Sequence, residues 1–133
     1  MRELVLPDTS VWIDFFRNRD STAVARLSRE LKSAEHLVVA SIVMGEVFCG
    51  AEGAQAMGIR AQMAELRPAP ELDRWDFVAA AELFVQARHS GRSVRGYVDC
   101  LIAQTCIRWG YALLTSDRDF TSIAAVAPLR LLT

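Results

Sequence analysis

Short apolar runs alternate along the chain with longer segments whose apolar residues recur at helical spacing, and this alternation limits the folds open to it. Five runs are predicted as strands: Glu3–Leu6, His36–Ala40, Leu66–Ala69, Tyr111–Leu114 and Leu129–Leu132. Seven segments are predicted as helices: Val11–Phe16, Ser21–Ala34, Ile42–Ala51, Ala54–Glu65, Asp73–His89, Tyr97–Trp109 and Ser116–Ala125. Strands that are apolar throughout and alternate with helices are typical of a parallel sheet covered on both faces. The sequence therefore predicts an α/β fold with a central parallel sheet.

Capping residues and glycines indicate where several of these helices begin and end. Ser41 precedes an apolar helical segment and is predicted as its N-cap. Gly91, after Ser90, and Gly110 follow the last helical residues of two segments, where glycine commonly ends a helix.

The composition indicates one ordinary globular domain. The chain has 133 residues, enough for a single hydrophobic core, with 52% apolar and 23% charged residues. The apolar runs are shorter than the roughly 18–20 residues that span a bilayer, and the N-terminus lacks signal-peptide features, so we expect a cytoplasmic protein. The three cysteines lack CxxC spacing and are predicted as buried thiols, while the two histidines lie too far apart to favour a zinc site.

Two aspartates follow predicted strands at the positions where ligands of parallel sheets bind. Asp8 comes after the first strand, and Asp117 follows Tyr111–Leu114 with two residues between them. Ligands bind beyond the carboxyl ends of such strands, so we expect both acids at the ligand-binding edge. Each also has a structural alternative, because Asp8 is a suitable helix N-cap and Asp117 is suited to an Asx-turn or a cap. Asp119 is suited to the first turn of a short helix.

Glu46 and Asp99 lie inside apolar helical segments, where a carboxylate needs a specific reason. Glu46 falls on or beside the apolar stripe of its segment, where an unpaired charge costs several kcal/mol. Asp99 lies in Tyr97–Ile107, where only Gln104 and Thr105 are otherwise polar. Neither segment has a lysine or arginine near its acid.

Carboxylates collected in one pocket repel one another and raise each other's pKa, and a divalent cation relieves that repulsion. Oxygen ligands without cysteine or histidine select a hard ion, Mg²⁺ or Mn²⁺, which can orient a phosphate and activate a water molecule. The net charge of −1 argues against a strongly basic nucleic-acid binder, yet an acidic pocket leaves the remaining surface net positive. The sequence contains no GxxxxGK[ST] loop and no Ser-His-Asp or Cys-His arrangement.

Four motifs occur in order along the chain: Asp8–Asp14 (DTSVWID), Ser41–Val47 (SIVMGEV) with Gly50 after it, Asp99–Ala103 (DCLIA) and Leu114–Phe120 (LTSDRDF). Together they resemble the PIN-domain ribonucleases and, within that family, the VapC toxins of bacterial VapBC toxin–antitoxin systems. The resemblance implies a three-layer α/β/α sandwich with a central parallel sheet, built as a single PIN-like domain over residues 1–133.

The resemblance also implies roles for individual residues. Asp8, Glu46, Asp99 and Asp117 match the family's catalytic acidic quartet, in which Asp8, Asp99 and Asp117 bind Mg²⁺ or Mn²⁺. Supporting roles fall on Asp119, Thr9, Ser10 and Ser116. Arg92 and Arg95 precede Asp99 and are candidates for binding RNA phosphates, or form part of a solvated loop.

The implied activity is that of a Mg²⁺-dependent endoribonuclease, the toxin of a type II toxin–antitoxin pair. One or two metal ions between Asp8 and Asp99 are expected to position the scissile phosphate and activate a water, leaving a 5′-phosphate and a 3′-hydroxyl. Glu46 and Asp117 are expected to orient that water or to complete the metal ligation.

The expected partners are a VapB-type antitoxin whose tail blocks the pocket, an RNA such as tRNA, and a second copy of the chain. The aromatic face around Trp12 and Phe16 and the helix Trp75–Phe84 are candidate dimer surfaces. An alternative is a catalytically silent PIN-like module that binds protein or RNA. A phosphatase of the haloacid dehalogenase type is disfavoured because the segment that begins at Asp8 lacks the second aspartate of a DxDx[TV] motif.

Overall fold

The computed structural model describes residues 3–92 and 94–132, and its strands form a parallel sheet. The strands are β1 Val5–Pro7, β2 Val38–Val39, β3 Arg67–Pro68, β4 Ala112–Leu114 and β5 Leu131–Leu132. β1 pairs with β4, β4 with β5 and β2 with β3, all in parallel. A parallel bridge between Val5 and Leu37 joins the two sets, so the strand order is β3-β2-β1-β4-β5. Strands lie in all five predicted regions.

Seven helices connect the strands, and each corresponds to a predicted segment. They are α1 Thr9–Phe16, α2 Thr22–Leu31, α3 Ser41–Cys49, α4 Gly53–Ala64, α5 Arg74–His89, α6 Tyr97–Trp109 and α7 Asp119–Ala124. Gly110 ends α6 with a φ of 72°, and Gly91 follows the end of α5 with a φ of 78°. Both glycines adopt the left-handed conformation that ends many helices.

The three central strands of the sheet, β2, β1 and β4, are buried on both faces, which confirms the predicted layered α/β fold. Every residue of β1 and β4 is buried. Because successive side chains of a strand point to opposite faces, helices must cover the sheet on both sides. Trp12 is also fully buried and stacks on Phe16 with ring centroids 5.8 Å apart, so the aromatic face around Trp12 belongs to the core.

Two local predictions are wrong. Ser41 is the first residue of α3 rather than its N-cap; Ala40 takes the cap position, and the Ser41 hydroxyl donates to the carboxylate of Glu71. Cys100 and Cys106 are buried as predicted, but Cys49 is exposed, because it lies in the last turn of α3 away from the sheet. Among the residues that the structure describes, no helix is long and apolar enough to cross a bilayer.

Candidate active site

The carboxyl ends of β1 and β4 bring two of the predicted acids to the same edge of the sheet. Pro7 pairs with Leu114 in the ladder, and the Asp8 N–H donates to the Leu114 carbonyl at 2.9 Å. Asp8 therefore leaves β1 beside the segment that carries Asp117 out of β4.

Asp8 is a buried carboxylate, only 2% exposed, that serves as the N-cap of α1. Its Oδ1 accepts hydrogen bonds from the Val11 N–H at 3.0 Å and the Ser10 hydroxyl at 2.7 Å. Burial raises the pKa of Asp8 above its usual value, while its hydrogen bonds oppose this rise and the charge of Asp117 adds to it. Asp8 can therefore cap α1 and also belong to the acidic cluster.

Thr115 links the ends of the two strands and was not among the residues predicted from the sequence. Its buried hydroxyl donates to Asp8 Oδ2 and accepts from the Asp117 N–H at 2.9 Å. The available signal was a hydroxyl residue directly after an apolar strand and two residues before a candidate acid. Ser116, predicted in a supporting role, is exposed and lines the cavity described below.

Glu46 projects from α3 toward the start of α1. Its Oε1 accepts a hydrogen bond from the Thr9 hydroxyl at 2.6 Å, and the carboxylate is only partly buried. The predicted need for a partner is therefore met by a neutral hydroxyl, which leaves the negative charge of Glu46 uncompensated by this contact.

Asp99 lies in the first turn of α6, where its carboxylate interacts with the negative charges of the four other acids. Within residues 3–92 and 94–132 its half-buried carboxylate has no hydrogen bond or ion pair. Burial raises the pKa of Asp99 to about 7, with further contributions from the negative charges of Asp117, Asp119, Asp8 and Glu46. A carboxylate in this environment is poised to accept a cation.

Asp117 and Asp119 complete a compact triplet with Asp99. Carboxylate oxygens of the three residues lie within 4.8 Å of one another. Asp117 Oδ1 accepts from the Asp119 N–H at 3.0 Å in an Asx-turn, and Asp119 is the first residue of α7, so both structural alternatives also occur. Asp119 was predicted only in a supporting role, whereas Asp8, predicted as a ligand, lies outside this triplet.

Arg95 lies over two members of the triplet at the mouth of an open cavity of about 450 Å³. Its main-chain N–H and its Nε donate to Asp119 Oδ2 at 2.9 and 3.4 Å, and its Nη2 donates to Asp117 Oδ2 at 3.4 Å. Asp119 and Asp117 raise the pKa of the Arg95 guanidinium. Arg92 is exposed and lies outside the lining of this cavity, which is formed by Ser10, Arg95, Ser116, Asp117, Arg118 and Asp119.

Comparison with known proteins identifies the family. The family model described as "PIN domain" matches residues 5–126. The chain belongs to the PIN domain family. This PIN domain is 32% identical over 129 residues to Ribonuclease VapC11 of Mycobacterium tuberculosis, with 96% of each chain covered.

Solved structures have the same fold as this PIN domain at low sequence identity. VapBC2 of Rickettsia felis, bound to a promoter DNA fragment, matches with a TM-score of 0.71 at 16% identity, over 97% of each chain. VapC20 of Mycobacterium tuberculosis, described as a sarcin-ricin loop cleaving toxin, matches with a TM-score of 0.69 at 21% identity, over 92% of this chain and 95% of that one. The resemblance stated from the four motifs is therefore confirmed.

Proposed function

We propose that this PIN domain is a Mg²⁺-dependent endoribonuclease, the toxin of a type II toxin–antitoxin pair, acting in the cytoplasm. The observation that carries the proposal is the half-buried Asp99 carboxylate, which has no partner among the described residues and is surrounded by four other acids. A structural role does not explain an arrangement in which like charges are concentrated around an unpaired group. The VapC ribonucleases among its relatives support RNA as the substrate.

The donor set fits a hard divalent cation. Three carboxylates offer oxygen atoms within 4.8 Å of one another, and two ligands on opposite sides of one Mg²⁺ lie about 4.2 Å apart. Small rotations of these side chains therefore suffice for shared ligation. When bound, the ion supplies Lewis-acid activation of a phosphodiester and of a water molecule.

Asp99 and Asp117 are proposed as ligands, with Asp119 joining them because its carboxylate belongs to the same triplet. Asp8 remains a proposed ligand: Oδ1 already accepts from Ser10 and Val11, but Oδ2 accepts only from Thr115 and keeps an acceptor site unused.

Glu46, held by the Thr9 hydroxyl, is proposed to accept a hydrogen bond from the attacking water and so orient it. The Ser10 and Ser116 side chains line the cavity and are proposed to hydrogen-bond the RNA backbone, which Arg95 binds through a phosphate. Cleavage leaves a 5′-phosphate and a 3′-hydroxyl.

A VapB-type antitoxin is the proposed protein partner, supported by VapBC complexes among the structural neighbours. A homodimer is proposed through one face of α5. Trp75, Val78 and Val85 are 66, 46 and 38% exposed and recur at spacings of three and seven residues, which places them on one side of the helix. Apolar side chains grouped in this way on a helix commonly mark an interface.

The activity is tested by incubating purified protein with tRNA, with ribosomal RNA and with p-nitrophenyl phosphate, in Mg²⁺ and in EDTA. We expect RNA cleavage in Mg²⁺ only, no phosphatase activity, and a loss of at least a hundredfold in Asp99→Asn and Asp8→Asn. Asp20→Asn, at an exposed loop position, controls for the loss of one carboxylate and should keep full activity. Full cleavage by a folded Asp99→Asn protein, free of wild-type enzyme, would refute the assignment.

A further inference from the structure

The guanidinium of Arg95 interacts with two of the acids that a cation would need. Nη2 reaches Asp117 and Nε reaches Asp119, each at 3.4 Å, whereas Asp99 in the same triplet has no such contact among the described residues. The chain therefore has a positively charged side chain of its own at the acidic cavity, beside the carboxylates of Asp117 and Asp119.

The main chain of Arg95 is held in place by a hydrogen bond, whereas its exposed side chain can move. Its main-chain N–H donates to Asp119 at 2.9 Å, which fixes residue 95 against the start of α7. The side chain itself is 80% exposed, so it can rotate into solvent with little loss of packing. A guanidinium cannot release its proton at ordinary pH, so only rotation can free the two carboxylates from its charge.

We propose that Arg95 is an internal competitor of the catalytic cation, held on Asp117 and Asp119 in the metal-free protein and displaced when the cation binds. The inference rests on the proposed function, because it takes the triplet as the metal site. A guanidinium released from carboxylates matches the planar, bidentate geometry of an RNA phosphate. Arg95 therefore exchanges the two acids for a phosphate of the substrate, which couples metal binding to RNA binding.

The test measures Mn²⁺ affinity directly, without RNA and without an activity assay. Calorimetry or the paramagnetic resonance of free Mn²⁺ gives the Kd for the wild type, Arg95→Ala and Arg95→Gln. Arg118→Ala is the matched control, because Arg118 lines the same cavity and has the same charge but makes no ion pair with the acids of the described residues. The difference between the two alanine variants isolates the contact from the general loss of a positive charge.

We expect Arg95→Ala and Arg95→Gln to bind Mn²⁺ about three- to tenfold more tightly than Arg118→Ala, the range that two exposed ion pairs can supply. The difference should shrink in 0.5 M salt, where exposed charges are screened. Equal or weaker Mn²⁺ affinity in both folded Arg95 variants would overturn this inference alone. Failure of every protein, including the wild type, to bind Mn²⁺ would overturn the proposed function and the inference with it.

Discussion

Replacing Asp99 by asparagine should stabilise the metal-free protein, although the residue is proposed to be essential for activity. Asparagine has nearly the same shape but no charge, so it removes both the cost of burying a charge and the repulsion from the other acids, which together raise the pKa of Asp99 from 3.8 to about 7. That difference corresponds to at most about 4 kcal/mol of unfolding free energy. Because solvent reaches the half-buried carboxylate and screens it, we expect a gain of about 1–2 kcal/mol, or roughly 3–10 °C in Tm.

The gain should depend on pH in a defined direction. Between about pH 4 and 7 the native state keeps the Asp99 proton while the unfolded state has released it, so the stability of the wild type falls as pH rises. The advantage of Asp99→Asn should therefore be near zero below pH 4, grow up to about pH 7 and stay constant above it. Urea unfolding in EDTA from pH 4 to 8 measures this profile.

Added Mg²⁺ should reverse the order of the two proteins, because a ligand that binds only the native state stabilises it. The wild type should gain stability in 10 mM Mg²⁺ and Asp99→Asn should gain less. Asp20→Asn, at an exposed position, should stay within about 0.5 kcal/mol of the wild type throughout. An Asp99→Asn protein that is no more stable than the wild type at pH 8 in EDTA would refute the view that burial and the neighbouring acids disfavour the charge of Asp99.

Three further changes test other parts of the structure. Thr115→Val should lower the unfolding free energy by about 1–3 kcal/mol, because the buried Asp8 loses a donor and the Asp117 N–H loses its acceptor, while Thr115→Ser should retain most of it in urea unfolding. Gly110→Ala should cost about 1–2 kcal/mol in the same assay, because φ there is 72° and disfavours a Cβ. Val78→Asp should weaken the proposed dimer at least tenfold in sedimentation equilibrium without changing the Tm of the monomer, and an unaltered dimer would exclude this face of α5.

The elements of the fold could be predicted because their signals are local. Apolar runs, helical spacing and the glycines at 91 and 110 each act within a few residues, and strands and helices lie in all the predicted segments. Ser41 was predicted wrongly because a serine before an apolar helix is an ordinary N-cap signal, while its actual partner, Glu71, lies 30 residues away. A sequence pattern carries no information about such a contact.

The same limit applies to the site. Glu46 and Asp99 could be predicted as site residues because carboxylates inside apolar helical segments are unusual. Asp8 and Asp117 could be placed at one edge of the sheet because each follows a predicted strand. The hydrogen bond from Thr115 to Asp8 joins residues 107 positions apart. The ion pairs of Arg95 with Asp117 and Asp119 span 22 and 24 positions. No local pattern in the sequence indicates contacts of this kind. Arg95 was a candidate for binding phosphate, and its contact with Asp117 and Asp119 emerges only from the folded chain.

The hydrogen bond that Asp117 accepts within its own Asx-turn also orients its carboxylate toward the cavity. Oδ1 accepts from the Asp119 N–H in the Asx-turn, and this bond fixes the orientation of the carboxylate so that Oδ2 faces Arg95 and the cavity. A turn that uses one oxygen thus preorganises the other, which lowers the conformational entropy lost when a cation binds. Asparagine at 117 keeps an oxygen for the turn and removes only the charge, so weaker Mn²⁺ binding by Asp117→Asn at unchanged stability would assign the charge to metal binding. Equal loss of stability in Asp117→Asn and Asp117→Ala would instead mean that the charge itself holds the turn.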